Sequence, residues 1–284
     1  MYKQPLAQMA QVVEYIENNL CTTSISLGTI ASAAHYSKYY LHRAFHDAFG
    51  ITIHEYLRRR RLTLAAELLA DTQMPLLQVA LRCGYQSQQA FGAAFKAYYK
   101  KTPACYRTQG LFYRLQPRLM AFKGALQTGQ APIRLATPDD VPAWMALLHL
   151  VEDGYPCLNV EQYLRALKEN IRKQQAFLLH EGGTALGAAA LERETGHILF
   201  LGVHPRYRRH GIQERLIQTL RQNCHGKALS IITFRAHDRA DPGYRKEIES
   251  LHFQAREPLV AFGYPAQRFV LPCAESWKSE NGRK

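Results

Sequence analysis

A chain of 284 residues with 47% hydrophobic and 21% charged residues is long enough to bury two cores, and its composition excludes a disordered or fibrous protein. No apolar run approaches the roughly 18 residues of a membrane helix, the opening MYKQPLAQMA carries no signal-like stretch, and six cysteines (Cys21, Cys83, Cys105, Cys157, Cys224, Cys273) stand singly; membrane, metal and disulfide framework are expected to be absent, and the cytoplasm is the expected compartment. The formal charge of +13 and pI near 9.5 point to a polyanionic partner, with 13 Lys/Arg against 6 Asp/Glu in residues 1–115 and 23 against 17 in residues 116–284.

Up to about Arg107 the apolar spacing is helical. Leu6, Met9, Val12, Val13, Ile16 and Leu20 mark a first amphipathic helix. Thr52 and Glu55 have the spacing of a capping box, which predicts a long helix running to about Ala70, broken by Asp71–Pro75. Two segments on either side of that helix share one layout: a short apolar helix, a tight turn, a serine, and a second helix with Phe on its inner face. They read SLGTIASAAHYSKYYLHRAFHDAFG and PLLQVALRCGYQSQQAFGAAFKAYYKKTP. Ser37 and Ser87, 50 residues apart, are the expected N-caps of the second helices. Gly84 supplies the turn in one unit and His35 in the other, His being comparatively tolerant of a left-handed backbone. Leu41, Phe45, Phe91 and Phe95 are core positions. The run Arg58–Arg61 goes round every side of a helix, so its members cannot share one role, and at least one is expected to pack inward.

Residues 111–131 fit neither helical nor strand spacing and read as a linker between a domain at 1–110 and another at 132–273, with a polar tail at 274–284. The second domain reads as an α/β fold with a mixed sheet. Its order is a strand at IRL, two helices, three strands (the first two joined at Gly182-Gly183), a helix, a strand, a helix and a closing hairpin. The stretch VHPRYRRHGIQERLI, Val203 to Ile217, stands out within it. A strand, an arginine-rich turn, one glycine and a helix start together form a natural place for a phosphate.

The N-terminal pattern, carried by YSKYYLHRAF, YLRRRRL, GYQSQQAFGAAFK and TPACYR over residues 6–108, resembles the AraC/XylS family of bacterial transcription regulators, in particular its small Mar, Sox and Rob-like subgroup. The resemblance implies an all-α double helix-turn-helix domain whose two recognition helices enter successive major-groove faces of double-stranded DNA, about 34 Å apart. On the first helix it places Lys38, Tyr39, His42, Arg43 and His46 toward DNA, with Arg43 suited to a guanine edge and Lys38 and Tyr39 to phosphate or sugar. On the second it places Gln86, Ser87, Gln88, Gln89 and Lys96. Gly92, Ala93 and Ala94 occupy a stretch where the subgroup carries an arginine, so this helix is expected to serve mainly through backbone contacts. RNA polymerase as a partner, activation rather than repression, a nucleoid-associated bacterial location and a monomer on DNA are further expectations from the subgroup.

The C-terminal order, with PIRLATPDDVPAWMALL, LGVHPRYRRHGIQERLI and LHFQAREPLVAFGYPAQRFVLP, resembles the GNAT fold of acyl-CoA-dependent N-acetyltransferases over residues 132–272. The resemblance implies an acetyl-CoA or other acyl-CoA ligand held by Val203, Arg208, Arg209, His210, Gly211, Ile212 and Gln213, through backbone N–H groups at a helix N-terminus. Arg208 and Gly211 match the family's pyrophosphate turn, whereas Gln213 replaces a small residue. The family's general-acid tyrosine aligns with Ile248, one helical turn after Tyr244, the substitute candidate. Glu192, Glu194, His197 and His204 are the nearby groups that a general base would draw on. Both departures favour a DNA-binding regulator with a small-molecule effector domain, or one whose second domain binds no CoA and serves dimerisation or contact with RNA polymerase, over the alternative, an active acetyltransferase carrying a DNA-binding module.

Overall fold

A computed structural model describes residues 4–110, 112–116, 118–119, 130–151, 159–208, 210–261 and 263–273. The described residues up to 119 form one compact unit, and those from 130 onward form a second.

The first unit is all helical: α1 (Gln4–Asn18), α2 (Leu27–Ala33), α3 (Lys38–Phe49), α4 (Ile53–Asp71), α5 (Leu76–Arg82), α6 (Gln88–Tyr99) and α7 (Pro103–Gln109). Ser37 caps α3 by accepting from the Tyr40 N–H, and Ser87 caps α6 by accepting from the Ala90 N–H. Each satisfies an amide that the helix itself leaves unpaired, an effect worth ~1 kcal/mol. The turns before these serines pass through the left-handed region at His35 (φ 56°) and Gly84 (φ 75°). Thr52 caps α4, accepting from the Glu55 N–H at 3.2 Å. The reciprocal half of that box does not form, because the Glu55 carboxylate instead accepts a hydrogen bond from the Tyr98 hydroxyl at 2.9 Å.

Two clusters form around α4. The first gathers Met9, Val12, Ile16, Ile30, Leu41, Phe45, Ile53 and Tyr56. The second is aromatic: Phe91, Phe95, Tyr99 and Tyr106 are all buried, with Phe95 and Tyr99 stacked at 4.4 Å. The part of the presumptive linker that is described, residues 112–116 and 118–119, is not extended away from this unit. Leu115 is fully buried, and Leu119 packs on the first cluster. Its aperiodic sequence carries no signal of this, since neither helix nor strand holds it.

The second unit is a seven-stranded sheet covered on both faces. It contains β1 (Ile133–Leu135), α8 (Val141–Val151), α9 (Val160–Arg172), β2 (Ala176–Glu181), β3 (Thr184–Glu192), β4 (His197–Val203), α10 (Ile212–Asn223), β5 (Leu229–Phe234), α11 (Tyr244–Ser250), β6 (Gln254–Ala261) and β7 (Tyr264–Leu271). The strand order is β1-β2-β3-β4-β5-β7-β6, antiparallel except for β4 beside β5. Gly182 and Gly183, both at positive φ, close the two-residue β2–β3 hairpin. One face of the sheet packs on α10 and α11 through Leu179, Leu186, Ile198, Leu216, Leu220 and Phe269. The other packs Leu178, Ala188 and Ala190 against Trp144, Leu147 and Leu167 of α8 and α9.

Candidate functional sites

The faces of α3 and α6 that the clusters leave outside carry the residues expected at DNA. On α3, Leu41 and Phe45 point into the core, while Lys38, Tyr39, His42 and Arg43 are exposed and His46 is half-buried. Tyr39 is 77% exposed, the most open large side chain among the described hydrophobics, and the Arg43 guanidinium lies 5.8 Å from its ring centroid. On α6, Gln88, Gln89 and Lys96 are exposed, as is Gln86 just before it. Ser87 is half-buried with its oxygen engaged as the cap. Between Gln89 and Lys96 the outer face offers only Ala90, Ala93 and the half-buried Gly92 and Ala94.

The four arginines of α4 each go to a different place. Arg58 lies 4.0 Å from the Glu55 carboxylate. Arg59, 1% exposed, donates to the Leu115 carbonyl. Arg60 grips both oxygens of Glu17 at 2.9 and 2.7 Å and donates to the Gln116 carbonyl. Arg61 donates to the carbonyls of Leu20 and Thr22. Burial pushes the Glu17 carboxyl up, but the hydrogen bonds from Arg60 and Tyr56 outweigh it and hold it below its usual range. Three of the four are thereby committed to the interior of the unit.

In the second unit the sheet opens between β4 and β5. The two parallel strands pair at one register position, His197 opposite Ser230, although β4 continues to Val203 and β5 to Phe234. A bulge on β4 lies at the opening: Ala190 faces Phe200 and Leu191 faces Ile198, so Leu199 is the extra residue, 46% exposed. Past this point the chain turns through Pro205–Tyr207 into α10, whose N-cap is Gly211 at φ 72°. Among the described residues no side chain caps α10, so the first N–H groups of the helix are open to an acceptor. Gly187 of β3 lies under this helix start; a Cβ there would fall 2.6 Å from Ile212 and 3.1 Å from Leu216. The tight approach of helix to strand is thus made at Gly187, and Gln213, half-buried, does not obstruct it.

Ile212 is buried in the core, leaving its backbone N–H as its contribution, and Val203 packs against the same core. His210 is exposed, with Nδ1 3.0 Å from the Arg208 carbonyl. Arg209 lies outside the described residues. Arg208 lies over the Tyr244 ring at 5.5 Å and its Nη2 donates to the Tyr244 hydroxyl, which itself donates to the Val151 carbonyl at 2.8 Å. Sequence reasoning treated Arg208 and Tyr244 separately; 36 residues apart, they had no signal of contact. Ile248, at the family's tyrosine position, is 3% exposed and belongs to the core.

Three of the four nearby acids and imidazoles are engaged through their side chains. His204 is 4% exposed, and its Nδ1 accepts from the Arg206 N–H. Burial, and then the charges of Arg206 and Arg208, lower its pKa to about 4, which keeps it neutral. His197 Nδ1 lies 3.1 Å from the Ser230 hydroxyl, and burial lowers its pKa too. Glu192 accepts from Thr195, and the exposed Glu194 lies at the end of the β3–β4 hairpin, with its carbonyl accepting from Lys227.

A double helix-turn-helix with a charged, unpacked recognition face defines the first unit as a DNA-binding module; a mixed sheet parted at a β4 bulge, with a helix N-terminus beside the gap, defines the second as an acetyltransferase-type fold. A family model described as a helix-turn-helix domain matches residues 30–109, and one described as an acetyltransferase (GNAT) domain matches residues 150–247. The HTH-type transcriptional activator AarP of Providencia stuartii is 36% identical over 115 residues, covering 39% of this chain and 84% of AarP. The regulatory protein SoxS of Salmonella typhimurium is 36% identical over 96 residues, 34% of this chain and 89% of SoxS. A crystal structure of a GNAT-family acetyltransferase from Bacillus cereus overlaps 50% of this chain and 96% of that one, at 14% identity and a TM-score of 0.39. The chain belongs to the AraC-type family of helix-turn-helix transcription regulators and carries a C-terminal GNAT domain. No described helix is long and apolar enough to cross a membrane.

Proposed function

We propose that this DNA-binding regulator senses an acyl-CoA, acetyl-CoA being the simplest candidate, through its GNAT domain without needing to turn it over. The observation that carries the reading is the parting of β4 and β5 after His197–Ser230, next to the uncapped start of α10. Such a gap admits an extended thioester arm, and a helix start attracts a pyrophosphate. Gly211, Ile212 and Gln213 would hold the phosphates through backbone N–H groups, with His210 at the rim. When bound, an acyl-CoA supplies an activated acyl group. The chain's own residues do little to use it: the Tyr244 proton is directed at the Val151 carbonyl, Ile248 is apolar and buried, and His204 is neutral and occupied as an acceptor.

On DNA, Arg43 reads a base edge while Lys38, Tyr39 and the α6 glutamines anchor the backbone. An activator working as a cytoplasmic monomer that contacts RNA polymerase is the corresponding cellular role, in line with the activator name that AarP bears. Calorimetry of the full chain with acetyl-CoA is expected to give saturable heat, and ligand is expected to change the affinity for a selected DNA site. No heat at millimolar ligand would overturn the sensor reading. Acetyl transfer to an amine panel at rates well above the uncatalysed reaction would replace it with the enzyme reading.

A further inference from the structure

The segment after α7 returns across the whole first unit and binds three of its parts in turn. At its start, Tyr113 sits on the second helix-turn-helix: its N–H donates to the Tyr106 hydroxyl, its carbonyl accepts from the Tyr99 hydroxyl, and its ring lies 5.0 Å from that of Tyr99. In the middle it crosses α4. The Leu115 carbonyl takes a hydrogen bond from the buried Arg59, and Gln116 uses its N–H on Thr63 and its carbonyl on Arg60. At its end it reaches the first helix-turn-helix. There the Leu119 N–H donates to the Tyr56 hydroxyl, and that hydroxyl donates to Glu17 of α1 at 2.6 Å. The Leu119 side chain packs on the first core. Arg61 makes a second bridge: it holds the carbonyls of Leu20 and Thr22, after α1, while its guanidinium fills the space beside Gly84, where a Cβ would lie 2.5 Å from Cζ.

We propose that Tyr113–Gln116 and Leu119, anchored by Arg59 and Arg60 and seconded by the separate Arg61 bridge, form a brace that fixes the separation of α3 and α6 and thereby the half-site spacing that this regulator accepts on DNA. A single helix such as α4 leaves two clusters free to rock at its ends. Ties from both clusters to a third strand of chain remove that freedom. One base pair of added spacing moves a half-site by about 3.4 Å and turns it by about 34–36° around the duplex, so a braced pair of helices reads one spacing and a loosened pair reads several. Arg59, Arg60 and Arg61 are in this view positioning residues, not a phosphate-binding patch.

The test is selection of bound sites from a random DNA library by the full chain, wild type against Arg60→Met and Leu119→Ala. Wild type is expected to yield two half-site sequences at one spacing. The variants are expected to retain both half-site sequences while the spacing spreads by one or more base pairs, with about tenfold weaker binding to the wild-type site. Helix content by circular dichroism checks folding. If Arg60→Met does not fold, Leu119→Ala, which removes only an apolar end, carries the same readout. A single unchanged spacing in a folded variant overturns the proposal, and so does loss of one half-site sequence, which would mean that the brace supports a recognition helix and not the distance between two.

Discussion

In the first helix-turn-helix the turn residue is His35, at φ 56°; in the second it is Gly84, at φ 75°, with the Arg61 guanidinium occupying the place of a Cβ. Both turns lead to a serine that caps the next helix, and both of those helices bury two phenylalanine or leucine anchors at matching positions. Outside, they diverge. Helix α3 presents two cations, a histidine and an open tyrosine, whereas α6 presents glutamines, alanines and a single lysine. The two motifs agree where packing and backbone geometry set the residue, and they differ on the solvent face, where neither does. The proposed division of labour, reading by the first motif and holding by the second, rests on this difference.

The second turn is the more constrained, so it should break first. Gly84→Ala places a Cβ in a left-handed conformation and against a guanidinium that already serves two carbonyls. A loss of about 2–3 kcal/mol of stability is expected, read by denaturant unfolding of the full chain followed by circular dichroism. A change below about 0.5 kcal/mol would mean that Arg61 moves aside without consequence and that the contact does not constrain the turn.

The recognition faces give the next contrast. Arg43→Ala should weaken binding to the selected site by about 1–3 kcal/mol and random DNA by less, while Gln89→Ala on α6 should cost under ~1 kcal/mol on either. Competition binding at fixed salt separates the two, since phosphate contacts fade with salt for all sequences alike. Equal losses from Arg43→Ala on specific and random DNA would reassign it to the backbone and remove the division of labour between the helices.

How much of this was legible in the sequence depended on whether a feature repeats locally. The serine caps, both turns, the core phenylalanines and the order of strands and helices in the second domain all carry short-range signals, and the structure bears them out. The capping box was half legible: Thr52 behaves locally, but Glu55 is drawn away by Tyr98, 43 residues later. The partition of Arg58–Arg61 could be foreseen only as a necessity, because the hydrogen-bond partners of Arg59, Arg60 and Arg61 lie 39–56 residues away in chain order, while Arg58 stays beside Glu55. Likewise nothing in Tyr113–Gln116 or Leu119 marks these residues as docked; the hydrogen bonds that tie them down use their backbone groups, which every residue has. In the GNAT domain the turn proposed to hold a phosphate was visible as a motif. The β4 bulge at Leu199 and the pairing of Arg208 with Tyr244 arise from strand register and tertiary packing, to which composition and periodicity are blind.

His35→Gly is the smallest and sharpest probe of the comparison between the two turns. If His35 merely tolerates the left-handed backbone, glycine relieves strain on the order of 1 kcal/mol and adds a similar entropic cost by loosening the unfolded chain, about 0.5–1 kcal/mol. The two offset, and a net change within about 0.5 kcal/mol is expected, with DNA affinity unaltered. Thermal and denaturant unfolding of the full chain, together with binding to the selected site, measure both quantities. A clear loss of DNA affinity at unchanged stability would show the exposed imidazole taking part in binding, and the first turn would then belong to the reading face along with α3. A clear gain in stability would show instead that strain had been retained in the first turn, and the two motifs would differ in their backbone as well as in the surfaces they offer.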